Sequence, residues 1–539
     1  MFGRLSNKPN TLASKFRTDN TRKVAPKPSL NTSNLLPVRK PSTASNALIN
    51  GHKSEKNAVS RSPSTVSVKK DGTSRSSSRR TSVTSQDTPG AIKRVRSSAR
   101  SKRASPATST PLMSSDDEDD VNQPQAKRIK LDRNMDKARV VLDKDAFLEQ
   151  AAPYEIIHAA DLANDKLQKH GRFQFEEYFK VLGEDEDVAP TIKLEYPATN
   201  AAENYQLVVP TDKSDFKPLS EIMDTMKVVA EYYLDEDARE LVDPQDGFSV
   251  GGLVPALQKA AKDAQKPLAQ TRFMKAVQQY NDLITRKRGD DTVQKQIASL
   301  PSPLPLKLVQ HVIKDQIYSR TVSPHVEEVR KYEGFSDNVY GELLPKFLSR
   351  IFQETKLKSH QTFVDLGSGV GNCVLQAALE IGCESWGCEM MDNPAGMAEQ
   401  SAKEFPQRCR MFGIQPGSVN LIHASFLEDD KIKEVLQRAD VVLVNNQAFN
   451  PEINTKLKYL FLDLKESAQI VSLKYFRDPH HKVKESNIND SVNGLQVREL
   501  ERFSGMVSWS DDPGKWYIHT KDKRELQKVL KRVQQTTGS

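Results

Sequence analysis

The sequence predicts an α/β fold for the C-terminal part of the chain, with seven strands in a largely parallel sheet. The observation behind this prediction is that, after about residue 340, short apolar runs alternate with helical periodicity. A second observation predicts a mainly helical region before it: between about 140 and 320, apolar residues recur at three- and four-residue steps. Strand and helix alternate in this way in parallel sheets, which bind ligands beyond the carboxyl ends of their strands. We therefore divide the chain into residues 1–138, 139–320 and 321–539.

Residues 1–138 are predicted to form a disordered basic arm. They are rich in Ser, Thr, Lys, Arg and Pro without sustained periodicity, a composition that buries too little apolar surface to fold. Residues 1–110 hold 23 Lys and Arg against 4 Asp and Glu, or +19 in a chain whose total is +8. Because such charges meet phosphates, we expect salt-sensitive contact with DNA. The basic run at 127–132 resembles a nuclear-import signal, which predicts a nuclear location.

Composition also argues against several classes of protein. No apolar stretch reaches the length of a membrane span, and the N-terminus lacks the apolar run of a secretory signal, so no membrane partner is expected. The four cysteines, Cys373, Cys383, Cys388 and Cys409, lie in one short segment, unlike those of a disulfide-stapled secreted fold. A zinc site at Cys383 and Cys388 would need further ligands from other elements. The cysteines are therefore interpreted as small buried hydrophobic residues, and no metal is expected.

Residues 139–320 are predicted to be mainly helical. One apolar stripe runs from Leu219 to Tyr233 and another from Phe273 to Ile284, each at the spacing of a helix that faces a core. A strand is predicted at 206–209, and a further amphipathic run covers 308–317. No catalytic chemistry is predicted in this region.

The C-terminal region supplies the seven predicted strands. They are short apolar segments separated by helical patterns and turn residues. The predicted ranges are 362–366, 385–390, 419–423, 440–444, 469–473, 495–500 and 516–519.

The clearest chemical signal is a glycine-rich turn that follows the first of these strands. Its pattern is Asp365-x-Gly367-x-Gly369-x-Gly371, whereas a dinucleotide fingerprint would require glycine at Asn372. The turn also lacks the Lys and Ser/Thr of a phosphate-binding P-loop. This pattern resembles the first motif of the class I, seven-stranded S-adenosylmethionine-dependent methyltransferase fold. Asp365 suits the ammonium end of that cofactor.

A second acidic residue strengthens this interpretation. Glu389 closes the next predicted strand, where a carboxylate accepts hydrogen bonds from the two ribose hydroxyls of a nucleoside. A glycine loop and an acid at this separation are far more specific together than either is alone. S-adenosylmethionine is therefore the expected cofactor.

Three motifs in order give a narrower resemblance. Tyr340-Gly341-Glu342-Leu343 precedes the glycine loop, and Asn445-Asn446-Gln447 follows it. Together they are similar to the Dot1-type histone methyltransferases of the fungal kind, over roughly residues 200–539. The resemblance implies methyl transfer to lysine 79 of histone H3 on the nucleosome core, with a role in chromatin regulation and telomeric silencing.

The resemblance also implies which residues hold the cofactor. One group forms a loop over it, a second holds its methionine and ribose ends, and a third flanks its adenine, on which an aromatic ring would stack. The first group is Tyr340, Gly341, Glu342 and Leu343. The second is Phe363, Val364, Asp365, Leu366, Gly367, Ser368, Gly369, Val370, Gly371, Asn372 and Glu389, and the third is Ser425 and Phe426.

The substrate side is assigned in the same way. Asn445, Asn446 and Tyr340 are the predicted catalytic residues, with the two asparagines orienting the target nitrogen. Because a free lysine titrates near about 10.4, a dry aromatic channel would favour its neutral, reactive form. The predicted channel walls are Phe449, Trp509, Trp516 and Tyr517, each of which also suits an ordinary core. No side chain stands out as an obligatory general base.

Two alternatives remain open at this point. A nucleic-acid base methyltransferase would share the cofactor fold, but such enzymes often carry Asn-Pro-Pro-aromatic at the end of the fourth strand, and Asn445-Asn446-Gln447 lacks the prolines. A non-catalytic chromatin-binding scaffold is the other. The methylation degree, any dependence on other histone marks and the oligomeric state do not follow from the sequence.

Overall fold

The computed structural model describes residues 136, 138–150, 152–163, 175–179, 189–211, 216–245, 251–329 and 341–537. These residues belong to one compact unit, Asp120–Ser539. Apart from residues 136 and 138, the basic arm with its import signal lies outside the described residues, as does Tyr340.

The helical region, residues 139–320, combines helices with two small antiparallel strand pairs. Strand β1 pairs with β4, and β2 pairs with β3. The strands are β1 (Phe175–Glu177), β2 (Thr191–Glu195), β3 (Ala202–Gln206) and β4 (Val208–Pro210). The helices are α1 (Ala159–Leu162), α2 (Pro218–Tyr233), α3 (Glu236–Val242), α4 (Leu253–Lys262), α5 (Ala269–Gly289), α6 (Thr292–Ala298) and α7 (Leu306–Gln310).

Helix α7 continues into a π-helical stretch, His311–Tyr318, and then into α8 (Ser319–Thr321). Helix α9 (Val326–Val329) is the last element before residue 341 within the described part of the chain. The two predicted apolar stripes coincide with α2 and α5. The strand predicted at 206–209 is two strands, β3 and β4, which are separated at Leu207.

A seven-stranded sheet forms the C-terminal part of the unit. Its strands are β5 (Thr362–Leu366), β6 (Glu384–Glu389), β7 (Val419–His423), β8 (Val441–Val444), β9 (Gln469–Ser472), β10 (Leu495–Arg502) and β11 (Gly514–Lys521). Their order is β10-β11-β9-β8-β5-β6-β7, in which the five strands from β5 to β9 are parallel and β10 and β11 form an antiparallel hairpin. The predicted α/β class with a largely parallel sheet is therefore confirmed. The strand order reverses between β5 and β8, which is where open α/β sheets bind ligands.

Helices cover both faces of this sheet. They are α10 (Pro345–Thr355), α11 (Asn372–Gln376), α12 (Asp392–Met411), α13 (Asp430–Arg438), α14 (Pro451–Leu460) and α15 (Arg524–Thr537). All seven predicted strands are present, and β5 and β7 have the predicted bounds. Strands β10 and β11 are each longer than predicted, since their ends carry charged residues that hide the strand pattern.

The helical region and the sheet domain share one hydrophobic core. Phe412, which follows α12, packs against Tyr196 of the helical region with ring centroids 5.3 Å apart and against Tyr233 of α2 at 6.1 Å. Leu375 and Leu379, which follow the glycine turn, belong to the same buried cluster. The predicted boundary at 320/321 thus falls inside a continuous core.

A buried network of charges crosses the same boundary. Glu203 on β3 accepts hydrogen bonds from Arg320 and from Arg408, and all three side chains are fully buried. Arg320 also pairs with Glu221, and Arg408 with Glu404 at 2.7 Å. Burial alone would raise the pKa of Glu203, but the two guanidinium groups lower it well below its ordinary value. Such a network is costly to break, because removing either arginine leaves a buried carboxylate, Glu221 or Glu404, without its cation.

The described residues contain neither disulfide bonds nor a cluster of metal ligands. All four cysteines are free, and among the described residues no group of His, Cys, Asp and Glu is arranged to hold a metal ion. Within the described ranges, no helix combines the length and the apolar character required to cross a membrane.

Candidate active site

A cavity of about 280 Å³ opens at the carboxyl ends of β5, β6 and β8. It lies at the switch point of the strand order, as expected for a ligand site in this class of sheet. The predicted cofactor and catalytic residues that line it are Gly341, Glu342, Leu343, Asp365, Gly367, Ser368, Gly369, Val370, Asn372, Glu389, Phe426 and Asn445, together with the predicted channel residue Phe449.

The glycine turn brings the backbone close to this cavity. Gly367, Gly369 and Gly371 have φ values of +84°, +54° and +87°, which L-residues with a side chain rarely adopt. The amide groups of Gly367 and Ser368 donate to the carbonyl oxygen of Cys388 at 2.9 and 3.1 Å, which joins the turn to β6. The turn therefore presents backbone rather than side chains to a ligand.

Asp365 is a buried carboxyl in the cavity wall. Its side chain is only 3% exposed, and no cationic side chain among the described residues pairs with it. Burial, together with the charge of Glu389, raises the pKa of Asp365 to about 8. Cys373 donates a hydrogen bond to it, and burial raises the pKa of that thiol well above its ordinary value, so the thiol stays protonated. An anionic Asp365 thus requires a cation, and an ammonium group would supply one.

Glu389 is fixed by two backbone amides. Its Oε2 atom accepts a hydrogen bond from the Gly369 amide at 2.9 Å, and its Oε1 atom accepts one from the Met391 amide at 2.8 Å. Each carboxylate oxygen accepts more than one hydrogen bond, so both oxygens keep capacity for a ligand. A carboxylate held in this way at the end of β6 suits a pair of ribose hydroxyls.

Asn445 closes β8 and connects it to the segment around Gly341. Its Nδ2 atom donates to the Gly341 carbonyl oxygen at 3.0 Å, which fixes the orientation of the amide. The Oδ1 atom is buried and has no hydrogen-bond partner among the described residues. A buried acceptor without a donor is unfavourable by itself, so this atom is suited to receive an N–H group from a ligand.

A short backbone pairing holds residues 341–344 in place. Leu343 forms a bridge with Val507, and the Leu344 amide donates to the Met506 carbonyl oxygen at 3.0 Å. Trp509 covers Gly341 so closely that a Cβ atom there would lie 2.6 Å from the indole ring. The segment between β10 and β11 therefore packs against residues 341–344, and the Gly341 held in this way is the hydrogen-bond partner of Asn445.

Asn446 does not lie beside the cavity, which corrects the prediction that it orients the target nitrogen. Its side chain is fully buried, and its Oδ1 atom accepts from the amides of Leu473 and Lys474 at 3.0 and 2.8 Å. Its Nδ2 atom donates to Asn454 and to the Lys474 carbonyl oxygen. With both ends paired, Asn446 braces the ends of β8 and β9 and has no group to offer a substrate.

Several predicted cofactor residues also lie behind the cavity rather than in its wall. Phe363, Val364 and Leu366 are fully buried in the packed faces of β5, because a central parallel strand is covered on both sides. Gly371 is buried, and a Cβ atom there would meet Leu421 at 2.7 Å. Ser425 is half-buried outside the wall, and its carbonyl oxygen accepts from two following amides in a turn.

The predicted channel residues separate into two groups. Phe449 lines the cavity with its ring centroid 6.0 Å from that of Phe426, and Trp509 is 39% exposed over Gly341. Trp516 is instead fully buried against Phe347, with centroids 5.3 Å apart, so the prediction that it walls the channel is wrong.

Tyr517 does not line the cavity either. Tyr517 lies on β11 and packs edge to face against Tyr475, with ring centroids 5.5 Å apart. Only a small part of its surface is exposed, and it is not among the residues of the cavity wall. Of the four predicted channel residues, the structure therefore places only Phe449 in the cavity wall with Asn445, whereas Trp509 lies over Gly341 and outside that wall.

The sequence analysis missed some wall residues. Cys373 and the run after Glu389 directly continue predicted motifs, so extending each motif by a few residues would have found them. Val329 comes from α9 and gave no signal, because only folding brings it to the cavity. The missed residues are Val329, Cys373, Met390, Met391, Asp392, Asn393, Pro394 and Leu443.

Comparison with known proteins agrees with this geometry. The family described as "Histone methylation protein DOT1" matches residues 318–521. A protein of Aspergillus fumigatus named "Histone-lysine N-methyltransferase, H3 lysine-79 specific" is 42% identical over 83% of this chain and 90% of its own length. Proteins of the same name from Emericella nidulans and Yarrowia lipolytica are 44% and 35% identical, over 69% and 71% of this chain and 70% and 78% of their own lengths. The chain belongs to the DOT1 family of histone methylation proteins.

Proposed function

We propose that this protein transfers a methyl group from S-adenosylmethionine to the side-chain nitrogen of lysine 79 in nucleosomal histone H3. The observation that carries the proposal is the cavity at the ends of β5, β6 and β8, where Asp365, Glu389 and Asn445 meet in a chain of the DOT1 family. The curated relatives it matches over most of their length bear the name of this activity.

The residues of the cavity fit the cofactor. Asp365 supplies a buried carboxylate for an ammonium group, and Glu389 supplies a fixed carboxylate for ribose hydroxyls. Phe426, which is 8% exposed in the wall, supplies an aromatic face for a base. When bound, S-adenosylmethionine supplies an electrophilic methyl group on a sulfonium ion.

The protein's own contribution is to orient and desolvate the amine. Asn445 turns its Oδ1 atom toward a donor because its Nδ2 atom is held by the Gly341 carbonyl oxygen. An amine N–H donated to Oδ1 would direct the nitrogen lone pair away from Asn445. Phe449 presents apolar surface in the same cavity wall, and a dry surface favours the neutral amine over the charged form.

Transfer of labelled methyl groups tests this proposal. The full chain is incubated with labelled S-adenosylmethionine and, separately, nucleosomes, free histones or naked nucleic acid. Gly369→Arg places a long side chain in the cavity wall at a positive φ, and Gly289→Arg is the matched control, since Gly289 is exposed with open space around its Cβ position.

Label on histone H3 of nucleosomes at lysine 79, retained in Gly289→Arg and lost in Gly369→Arg, is the expected result. Label on nucleic acid would instead indicate a base methyltransferase. A chain that binds nucleosomes but transfers no label to any substrate would be the scaffold considered above.

We also propose that the basic arm contacts DNA and that the protein acts in the nucleus. Support comes from the net charge of +19 over residues 1–110 and from the basic run at 127–132. Deleting residues 1–135 is expected to weaken nucleosome binding at low salt and to leave S-adenosylmethionine binding unchanged. Equal nucleosome affinity of the two chains would contradict this role of the arm.

A further inference from the structure

One side chain of the helical region reaches the wall of the cofactor cavity. Tyr318 is the last residue of the π-helical stretch His311–Tyr318, and its hydroxyl donates a hydrogen bond to Oε1 of Glu342 at 2.9 Å. Glu342 lines the cavity. A residue of the helical region thus contacts a carboxylate that faces the ligand.

Tyr318 is carried on a firmly held stretch of backbone. Gln316, two residues before it, donates to the hydroxyl of Tyr196 at 2.7 Å, and both side chains are buried. Thr321, three residues after it, shares a hydrogen bond of 2.8 Å with Ser401 of α12. The buried ion-pair network around Arg320 lies between these two contacts. The position of the Tyr318 hydroxyl is therefore set by the fold on both sides.

The same stretch packs behind the glycine turn. Tyr318 lies against a small apolar cluster that contains Val322, Val329, Val370 and Met397. Val370 belongs to the glycine turn itself. The end of the π-helical stretch therefore supports two parts of the cofactor site, the turn through packing and Glu342 through a hydrogen bond.

The backbone of Glu342 is fixed from the opposite side. Its amide donates to the Ser508 hydroxyl at 2.9 Å, and its carbonyl oxygen accepts from the Ser508 amide at 2.9 Å. With the peptide held by Ser508, the carboxylate direction depends on the side-chain rotamer, and Tyr318 constrains that rotamer. Glu342 and Asp365 both act electrostatically on Cys373, so the two carboxylates approach the same part of the cavity.

We infer that Tyr318 is a positioning residue for the cofactor, acting through Glu342, and that the helical region thereby takes part in cofactor binding. This inference rests on the proposed function. Two carboxylates at one end of the cavity suit the ammonium group of the methionine portion, and Tyr318 holds one of them in the binding direction. Loss of the phenolic oxygen would remove this hydrogen bond from Glu342 and would weaken binding of ligands that carry this portion.

Calorimetric binding to the full chain tests the inference with three probes. S-adenosylmethionine and S-adenosylhomocysteine carry the amino acid portion, whereas methylthioadenosine lacks it. Tyr318→Phe is expected to raise the dissociation constant of the first two about three- to tenfold, the effect of one hydrogen bond, and to leave that of the third unchanged. Tyr233→Phe is the matched control, since its buried hydroxyl has no partner among the described residues, and it should bind all three as wild type does.

A double-mutant cycle with Glu342→Gln tests whether Tyr318 acts through Glu342. The effects of the two substitutions on S-adenosylmethionine affinity should be clearly less than additive, and the turnover number of Tyr318→Phe at saturating cofactor should stay within about twofold of wild type. Wild-type affinity in Tyr318→Phe, an equal loss for methylthioadenosine, or full additivity would each overturn the inference. Failure of the wild-type chain to bind any probe would instead overturn the proposed function, and this inference with it.

Discussion

Asp365→Asn is expected to stabilise the protein and to impair cofactor binding at the same time. In the folded chain, burial raises the pKa of Asp365 to about 8, whereas the ordinary pKa of an aspartate side chain is 3.8. Because the folded pKa lies above the unfolded one, this group's contribution to the free energy of unfolding falls as pH rises from about 4 to about 8. At pH 7 the free energy of unfolding is therefore about 4 kcal/mol lower than it would be if the folded and unfolded pKa values were equal, since each of the roughly three pH units above the ordinary value costs about 1.36 kcal/mol.

Asparagine has no charge to bury, so the substitution removes this unfavourable contribution. Urea unfolding at pH 7 without cofactor should show Asp365→Asn to be more stable than wild type by up to about 4 kcal/mol. Calorimetry should show the opposite effect on S-adenosylmethionine, with a loss of tenfold or more, because the ammonium group loses its carboxylate.

The wild-type protein should also show pH-dependent binding. If the bound ammonium group selects the ionised carboxyl, affinity for S-adenosylmethionine rises about tenfold between pH 6 and pH 7 and levels off near pH 8. The Asp365→Asn protein should show no such rise. A wild-type affinity that is flat over this range, or a variant no more stable than wild type at pH 7, would refute the argument from burial.

Three further substitutions test other parts of the structure. Asn446→Ala should lower the free energy of unfolding by about 2–4 kcal/mol in urea titrations, because the buried Leu473 amide loses its acceptor; an unchanged midpoint would contradict a bracing role. Gly341→Ala should lower methyl-transfer activity at least tenfold while the melting temperature changes little, since the new Cβ atom would displace Trp509; full activity would show that the indole moves freely. Arg320→Met should cost about 3–5 kcal/mol of stability at pH 7, because it leaves the buried Glu221 without its guanidinium partner and Glu203 with Arg408 alone, and a smaller loss would show that water relieves these carboxylates.

The sheet domain was predictable because its signals are local. A buried parallel strand is a short apolar run, and the glycine turn after β5 requires residues without a Cβ atom, so both are visible in the sequence. For the same reason Asp365, Glu389 and Asn445, each at or next to the carboxyl end of a strand, are predictable as neighbours at one edge of the sheet.

The parts that were not predicted depend on contacts between distant segments. Asn445 and Asn446 are adjacent and chemically identical, and only the pairing of β8 with β9 decides that one faces the cavity while the other binds backbone. Trp516 and Trp509 share one hairpin, but Trp516 alternates into the core and Trp509 lies in the exposed turn. Tyr318 carries no motif, because its role arises from the approach of the π-helical stretch to residue 342.

Because the helical region and the sheet domain share one core, neither part is expected to fold correctly without the other. Phe412 packs on residues from both parts, and Glu203 binds an arginine from each side of the boundary at 320/321. A fragment that begins at residue 321 would expose these surfaces and leave buried charges unpaired. The helical region is thus not an interchangeable module, and we expect substrate preference to diverge through the loops at the sheet edge, with the two parts retained together.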